Sequence, residues 1–335
     1  MTPRGTEQFF LDKSSLGSAS DRDDGREHHN LASVWPCVKD AGPFLFGEHM
    51  TSDPLIRAVD IHYTYDGGSQ GVQALGGIDL RIDEGDFVAL VGHNGSGKST
   101  LAKCLNALLL PTQGDVWVRG QNTRHCSESA LLKIRATVGM VFQHPENQFV
   151  ATTVQEEVAF GPENLGIPDE ALRQRVERAL HAMGLEGLEE RNPHDLSAGQ
   201  KSRLAIAGIL AMEPQCLILD ESTATLDPIA RRNVLALVED LHRRGLTLIL
   251  ITHAMEEAVM ADHIVVLDKG SVALEGGPQE VFADAAVFDE LGLELTVSAA
   301  IGRGLHRRGL GLPKEAILTQ DDLVEALTEL ARVRT

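Results

Sequence analysis

Residues 92–100 read GHNGSGKST and fit the pattern G-x-x-x-x-G-K-S/T. The loop follows a short apolar run, Phe87–Val91, and precedes a segment that predicts a helix over Ser99–Leu110, stopped by Pro111. Glycines let successive N–H groups turn inward around phosphate oxygens, and the helix start adds the positive end of its dipole. The pattern therefore predicts a nucleotide site made by Gly92, His93, Asn94, Gly95, Ser96, Gly97, Lys98, Ser99 and Thr100.

The side chains of this loop and of a later strand suggest the chemistry. The Lys98 amine can neutralise β- and γ-phosphate charge, and the Ser99 hydroxyl is placed to ligate Mg²⁺. A second apolar run, residues 217–219, is followed by Asp220 and Glu221. Asp220 would hold Mg²⁺ through water, and Glu221 would polarise an attacking water. Two acids at a strand end are also ordinary exposed carboxylates, and the phosphate loop upstream favours the catalytic interpretation.

The composition describes an acidic chain with enough apolar residues for a large core. Of 335 residues, 43% are hydrophobic, and 30 basic against 49 acidic side chains leave a formal net charge of −19. This charge disfavours non-specific nucleic-acid binding. No apolar run approaches the roughly 18–20 residues that span a bilayer. The N-terminus lacks a secretion signal and the four cysteines form no CxxC pair, which predicts a cytosolic protein.

The chain divides into segments of different character. Residues 1–54 mix small, charged and His residues without periodicity and predict a disordered or weakly ordered tail. Residues 55–277 alternate strand and helix signals and predict one α/β unit. Within it, residues from about 146 to 212 are polar and helical, as in an inserted subdomain. Residues 278–335 predict a small helical extension.

Short apolar runs predict the strands. Ile56–Tyr65 has strand character, and Cys216–Leu219 and Leu248–Ile251 resemble strands that are buried on both faces. Strands of the second kind belong to a parallel sheet with helices on each side.

The C-terminal extension predicts two amphipathic helices. A capping box of Thr319 and Asp322 would open the second helix. The residues that share one face are Val297, Ile301 and Leu305 in the first helix and Leu323, Leu327 and Leu330 in the second. Such faces need a partner surface. Packing on the chain's own core and docking on another subunit, including a dimer partner, both remain open.

Residues 196–200 read LSAGQ and precede an apolar helix. Locally, Ser197 and Gln200 make a capping box. The motif also resembles the signature of ATP-binding cassette (ABC) ATPases, normally LSGGQ, with Ala198 replacing a glycine. Other landmarks of the family follow in order: Tyr65 for adenine stacking, Gln143 in the Q-loop, Leu226-Asp227 in the D-loop and His253 as the switch histidine.

This resemblance covers about residues 55–285. It implies an α/β P-loop NTPase cassette with a mixed or parallel sheet core, an inserted helical subdomain and the small helical extension. It also implies that two cassettes close head to tail around ATP and Mg²⁺. One chain would supply Lys98, Ser99, Gln143, Asp220, Glu221 and His253, and the other Ser197, Gly199 and Gln200.

Within that pair, the resemblance gives each residue a role. Ser99, Gln143 and Asp220 are the expected metal ligands. Glu221, His253 and Gln143 are the expected catalytic residues. Asp227 belongs to the D-loop. A lone chain would hold an incomplete site, so hydrolysis is expected to depend on pairing.

A narrower resemblance lies in residues 143–166, QHPENQFVATTVQEEVAFGPENLG. They look like the ATPase subunits of energy-coupling factor (ECF) importers of vitamins and transition-metal ions, with His144 where asparagine is usual. The resemblance implies a peripheral place on the cytoplasmic face of the membrane. It also implies as partners a second ABC ATPase chain, a transmembrane T subunit and a substrate-binding S component. The segment Pro145–Phe149 would then face the T subunit.

Two other functions stay open. The chain could serve a different ABC importer, although the 143–166 stretch and the extension favour the ECF type. It could also be a soluble ABC ATPase acting on nucleic acid or ribosomes, which the single cassette and the −19 charge disfavour. Because a separate subunit selects the substrate in ECF systems, the transported compound cannot be read from this chain. Pairing with itself and pairing with a paralogue are both compatible with its motifs.

Overall fold

A six-stranded sheet carries the phosphate loop. The computed structural model describes residues 53–66, 71–283, 288, 290–310 and 317–333. In spatial order the strands are β10 (Ser271–Gly276), β9 (His263–Asp268), β3 (Phe87–Val91), β8 (Thr247–Ile251), β7 (Cys216–Asp220) and β6 (Val138–Val141). All neighbours are parallel except β10, which is antiparallel to β9. The predicted parallel sheet is confirmed, and β3, β7 and β8 are buried along their whole length.

A second, antiparallel sheet packs beside the first. Its order is β2 (Val72–Ile82), β1 (Ile56–Tyr65), β4 (Gln113–Val118) and β5 (Gln121–Asn122). Strand β1 has the bounds that the sequence predicts. Its buried residues Ile56 and Ile61 join Val88 and Leu90 of β3 in one apolar cluster. The predicted tail, residues 1–54, lies outside the described residues except for its last two positions.

Helices cover the sheets, and three of them follow one another in the chain between β6 and β7. The helices are α1 (Lys98–Leu105), α2 (Glu128–Thr137), α3 (Val154–Asn164), α4 (Asp169–Ala182), α5 (Ala198–Leu210), α6 (Pro228–Arg243), α7 (Met255–Ala258), α8 (Pro278–Ala283), α9 (Val297–Arg307) and α10 (Gln320–Val333). The buried faces of α3, α4 and α5 meet in one core with β7 and β8. None of the helices among the described residues is both long enough and apolar enough to cross a membrane.

Helix α1 is shorter than predicted. It ends at Leu105, not at Leu110. Ala107 takes a left-handed backbone with φ 57°, which no helix continues through. The amide of Asn106 donates to the Val138 carbonyl oxygen at 2.7 Å and ties the helix end to strand β6. The helix therefore ends before the left-handed Ala107, four residues ahead of Pro111.

The second C-terminal helix, α10, begins as the sequence predicts. The Asp322 N–H donates to Thr319 Oγ1 at 3.1 Å, and the Thr319 N–H donates to Asp322 Oδ2 at 2.9 Å. This reciprocal pair confirms the predicted capping box. The apolar face of α9 is partly solvated, with Val297 67% and Ile301 43% exposed. Further upstream, Phe288 is buried in the main core.

Candidate nucleotide site

The phosphate loop connects β3 to α1, as the sequence predicts. Its first and last glycines are required by close backbone contacts. A Cβ at Gly92 would lie 2.2 Å from the Leu267 carbonyl oxygen, and a Cβ at Gly97 would lie 2.7 Å from the Ala74 carbonyl oxygen. Both residues also have positive φ, 142° and 106°, which L side chains rarely adopt.

Lys98 is held inside the loop. Its side chain is 5% exposed, and its Nζ donates to the carbonyl oxygens of Gly92 at 2.8 Å and His93 at 2.9 Å. Burial lowers the pKa of the Lys98 amine, and the nearby Glu221 and Asp220 charges oppose that shift. The ammonium thus rests on neutral acceptors, which phosphate oxygens can replace with stronger charge-assisted bonds.

Ser99 and Asp220 form a hydrogen-bonded pair at the centre of the site. The Ser99 hydroxyl donates to Asp220 Oδ1 at 2.9 Å. Burial raises the pKa of the Asp220 carboxyl, and the Ser99 hydrogen bond partly offsets it. Hydroxyl and carboxylate oxygens suit Mg²⁺. Within the described part of the chain no three His, Cys, Asp or Glu side chains cluster as a metal cage, so a magnesium ion here would need nucleotide oxygens and water as well.

Glu221 lies between two polar side chains from other segments. Gln143 Nε2 donates to Glu221 Oε2 at 3.0 Å, and His253 Nδ1 lies 3.9 Å from the same oxygen. The Glu221 N–H donates to the Ile251 carbonyl oxygen at 3.0 Å, which anchors its backbone to β8. Its φ is 47°, in the left-handed region. Three predicted catalytic residues, distant in sequence, therefore meet at one carboxylate.

Tyr65 stands at the rim of a cavity of about 500 Å³ beside the phosphate loop. It is 39% exposed, and its hydroxyl lies 3.1 Å from Thr100 Oγ1. Tyr63 packs edge-on against its ring, with centroids 4.8 Å apart. The lining residues are Tyr65, Val72, Gln73, Ala74, Asn94, Gly95, Gly97, Lys98, Ser99, Thr100, Gln143 and Glu221. The cavity thus combines an aromatic rim, a phosphate cradle and two polar groups for chemistry.

The signature motif lies elsewhere. Ser197 caps α5 through the predicted box: the Gln200 N–H donates to Ser197 Oγ at 3.3 Å, and the Ser197 N–H donates to Gln200 Oε1 at 2.9 Å. Asp227 caps α6 by accepting from the Ile229 and Ala230 N–H groups. None of the described residues Ser197, Gly199, Gln200 and Asp227 lines the cavity. Within one chain, these residues and the phosphate loop are not brought together.

Sequence reasoning missed several residues of the site. Val72, Gln73 and Ala74, at the start of β2, also line the cavity. An alternating strand carries no signal that its first residues will face a cavity.

The His93 ring has a hydrogen-bond partner that no sequence motif predicts. Its Nε2 donates to the Leu291 carbonyl oxygen at 2.5 Å, so the ring points towards the C-terminal segment. A Cβ at Gly292 would lie 3.1 Å from that nitrogen. The Ser96 hydroxyl is buried and has no hydrogen-bond partner among the residues described.

Most of the chain is similar to proteins of one family. Residues 75–224 match the family described as ABC transporter. The chain is 49% identical over 273 residues to the energy-coupling factor transporter ATP-binding protein EcfA1 of Caldanaerobacter subterraneus, with 81% of this chain and 98% of that protein covered. The protein of the same name from Symbiobacterium thermophilum is 51% identical over 285 residues, with coverages of 83% and 98%.

Solved structures show the same fold. The chain cbiO1 of Clostridium perfringens, part of the ABC transporter complex cbiONQ, is 37% identical and covers 76% of this chain with a TM-score of 0.64. The alignment spans 99% of cbiO1. The dimeric ATP-binding cassette MJ0796, bound to ADP and Pi after hydrolysis, is 30% identical with a TM-score of 0.61. It covers 67% of this chain, and 98% of its own length is aligned.

Proposed function

The chain belongs to the ABC transporter family, among the energy-coupling factor ATP-binding proteins, and from this membership we propose that it binds and hydrolyses ATP to power an ECF-type importer of vitamins or transition-metal ions. The observation that carries the proposal is the convergence of three segments on one cavity. The phosphate loop, Gln143 and Glu221 line the same space of about 500 Å³. It offers groups for phosphate binding and for activating water side by side.

ATP is the substrate, and Mg²⁺ is the proposed metal. Ser99 and Asp220 would hold the ion, and Gln143 would face it from the end of β6. When bound, the ion supplies positive charge to the phosphate oxygens. Lys98 stabilises the same phosphates from inside the loop. Glu221 then polarises water, with Gln143 orienting its carboxylate at 3.0 Å.

The first proposed protein partner is another cassette. Ser197 and Gly199 begin a helix whose start can bind an anion, yet they lie outside the cavity of their own chain. The similar cassette MJ0796 is dimeric in its ADP- and Pi-bound structure. These facts support a pair in which each chain completes the other's site, formed with a second copy or a paralogue. ATP contacts that exist only in the closed pair would drive closure by differential binding.

A membrane subunit is the second proposed protein partner. A groove of about 650 Å³ runs between α3 and α4. Its acidic residues are Glu156, Glu163, Asp169, Glu177, Glu186 and Glu189, around an apolar floor that includes Leu172 and Val176. Cytoplasmic loops of membrane proteins are enriched in Lys and Arg. A basic amphipathic helix of a transmembrane T subunit therefore fits this groove, which would hold the chain at the cytoplasmic face.

Helix α3, which forms one wall of the groove, is also bonded to the residues that follow the Q-loop segment. Glu157 Oε2 accepts from the N–H groups of Val150 and Ala151, both at 2.8 Å. This ties Pro145–Phe149, the segment expected to face the T subunit, to helix α3. Binding of the T subunit in the groove would then act on the Q-loop segment through α3. Gln143, at the start of that stretch, would pass the effect to the Glu221 carboxylate through their hydrogen bond.

Charge reversal in the groove should release the membrane subunit. Glu163→Lys with Glu177→Lys replaces two exposed acids of the groove walls, and we expect the recovered T subunit to fall about tenfold or more, as for lost electrostatic complementarity. Glu146→Lys tests the Q-loop segment in the same assay. The control Glu275→Lys makes the same change at an exposed position of β10. If the double variant and Glu146→Lys both recover as much T subunit as the control does, the proposed docking surface is contradicted.

The proposed function is tested by affinity purification of the full chain from detergent-solubilised membranes. Recovery of a polytopic T subunit and a small S protein is expected, together with ATP hydrolysis by the eluate. A second cassette in the eluate would identify the paralogue. A chain that stays in the soluble fraction and recovers ribosomes or DNA-bound proteins would overturn the importer role and leave the ATPase.

A further inference from the structure

A buried glutamate contacts the loop that carries the proposed catalytic carboxylate of Glu221. Glu257, on helix α7, is 2% exposed. Its Oε1 accepts a hydrogen bond from Thr223 Oγ1 at 2.8 Å and from Arg231 Nε at 2.5 Å. These three side chains are called here the Glu257 cluster. None of the three side chains lines the nucleotide cavity. No residue of α6 or α7 is among the described residues that line it either.

The cluster joins the segments that carry three predicted functional residues. Thr223 follows Glu221 by two residues, and Glu257 follows His253 by four. Arg231 lies one helical turn after Asp227, and its N–H donates to the Asp227 carbonyl oxygen at 2.9 Å. One carboxylate oxygen therefore connects the loop after β7, the start of α6 and the helix after the switch histidine.

The Glu221 segment also contacts two elements outside the Glu257 cluster. Its backbone reaches β8 through the Glu221 N–H, and Ser222 accepts a long hydrogen bond of 3.4 Å from Ser202 of α5. The Ser222 hydroxyl and Glu257 Oε2 are buried and have no hydrogen-bond partner in the described part of the chain. Burying a carboxylate costs free energy unless hydrogen bonds or an opposite charge compensate it. The Glu257 carboxylate therefore depends on its bonds to Thr223 and Arg231. The hydrogen bond of Thr223 to Glu257 is thus a second side-chain link between this segment and the switch region, beside the 3.9 Å approach of Glu221 to His253.

We propose that the Glu257 cluster is a positioning device for hydrolysis: it holds the loop that carries Glu221 against the loop that carries His253. This inference rests on the proposed function, because positioning has meaning only if ATP is hydrolysed. Glu221 and His253 face each other across 3.9 Å, and a displacement of about 1 Å at a reacting group can cost up to 100-fold in rate. ATP binding itself uses the phosphate loop, which the cluster does not touch.

The test removes one hydroxyl. Thr223→Val keeps the side-chain shape and loses the bond to Glu257, while the Arg231 contact stays to balance the charge. We expect kcat for ATP in the purified complex to fall about tenfold or more, with the Kd for ATP of the isolated full chain changed less than about twofold. Thr223→Ser restores the hydroxyl and should recover most of the rate. Thr223→Ala, which adds no atom, should lose as much as the valine variant.

A matched control is Thr137→Val, which removes a hydroxyl that donates to the Lys133 carbonyl oxygen at the end of α2. It should leave both kcat and Kd unchanged. Hydrolysis at the original rate by both Thr223→Val and Thr223→Ala would overturn the inference. So would a serine variant as slow as the valine one, or a loss of ATP affinity in proportion to rate, since both indicate general packing. An unsubstituted complex without ATPase activity would instead refute the proposed function on which the inference rests.

Discussion

Glu221→Gln is expected to bind ATP as tightly as the unsubstituted chain and to hydrolyse it about 10²–10⁴-fold more slowly. The amide has the size of the carboxylate and can still meet Gln143, whose Nε2 now donates to Glu221 Oε2 at 3.0 Å. It cannot take a proton from water, so the chemical step loses its base. Because hydrolysis is what removes the γ-phosphate contacts, the paired chains should remain closed on ATP.

Three measurements check this expectation together. Single-turnover hydrolysis reports the chemical step, ATP titration reports binding, and size-exclusion chromatography with ATP reports the trapped pair. The control Glu239→Gln makes the same change on α6, where the carboxylate faces Arg243 at 3.8 Å. Unchanged hydrolysis by Glu221→Gln would remove Glu221 from its role, and weaker ATP binding would mean that it holds the substrate.

Lys98→Ala should weaken ATP binding itself. The ammonium donates to the Gly92 and His93 carbonyl oxygens, next to the cavity where phosphates would lie. A hydrogen bond to a charged group is worth about 1.5–3 kcal/mol, and a lysine can make more than one to a phosphate chain. The Kd for ATP should therefore rise about 100-fold, since roughly 2.7 kcal/mol corresponds to two decades.

The binding assay is a titration of the full chain with ATP and Mg²⁺, and thermal unfolding shows whether the loop survives. Lys133→Ala, at an exposed position of α2, is the control for loss of one positive charge. An ATP affinity that stays within threefold or so of the original would contradict the role of Lys98 in phosphate binding. If Lys98→Ala binds ATP normally but hydrolyses it slowly, Lys98 acts in the chemical step and not in ATP binding.

The parts of the fold that follow from local sequence could be predicted. The strand β1, the strand–loop–helix unit around residues 92–100 and the Thr319 capping box all depend on neighbours in the chain. The end of α1 could not be predicted, because a left-handed Ala107 and the bond from Asn106 to β6 decide it. Long-range contacts leave no periodic signal in one sequence.

The same distinction holds for the site. Gln143, Glu221 and His253 could be named by motif, but their meeting at one carboxylate oxygen depends on how β6, β7 and β8 are ordered in the sheet. The bond from Thr223 to Glu257 joins residues 34 positions apart and belongs to no pattern. Likewise, nothing in GHNGSGKST indicates that the His93 ring will reach Leu291. Topology supplies these contacts, and a single sequence does not state its topology.

The backbone at Glu221 has a consequence for laboratory evolution. With φ at 47°, this position favours glycine or asparagine, and a glutamate there costs on the order of 1 kcal/mol. A library screened only for heat resistance or yield should drift towards those two residues at position 221 and lose turnover as it gains stability. Stability engineering of this protein should therefore hold position 221 constant.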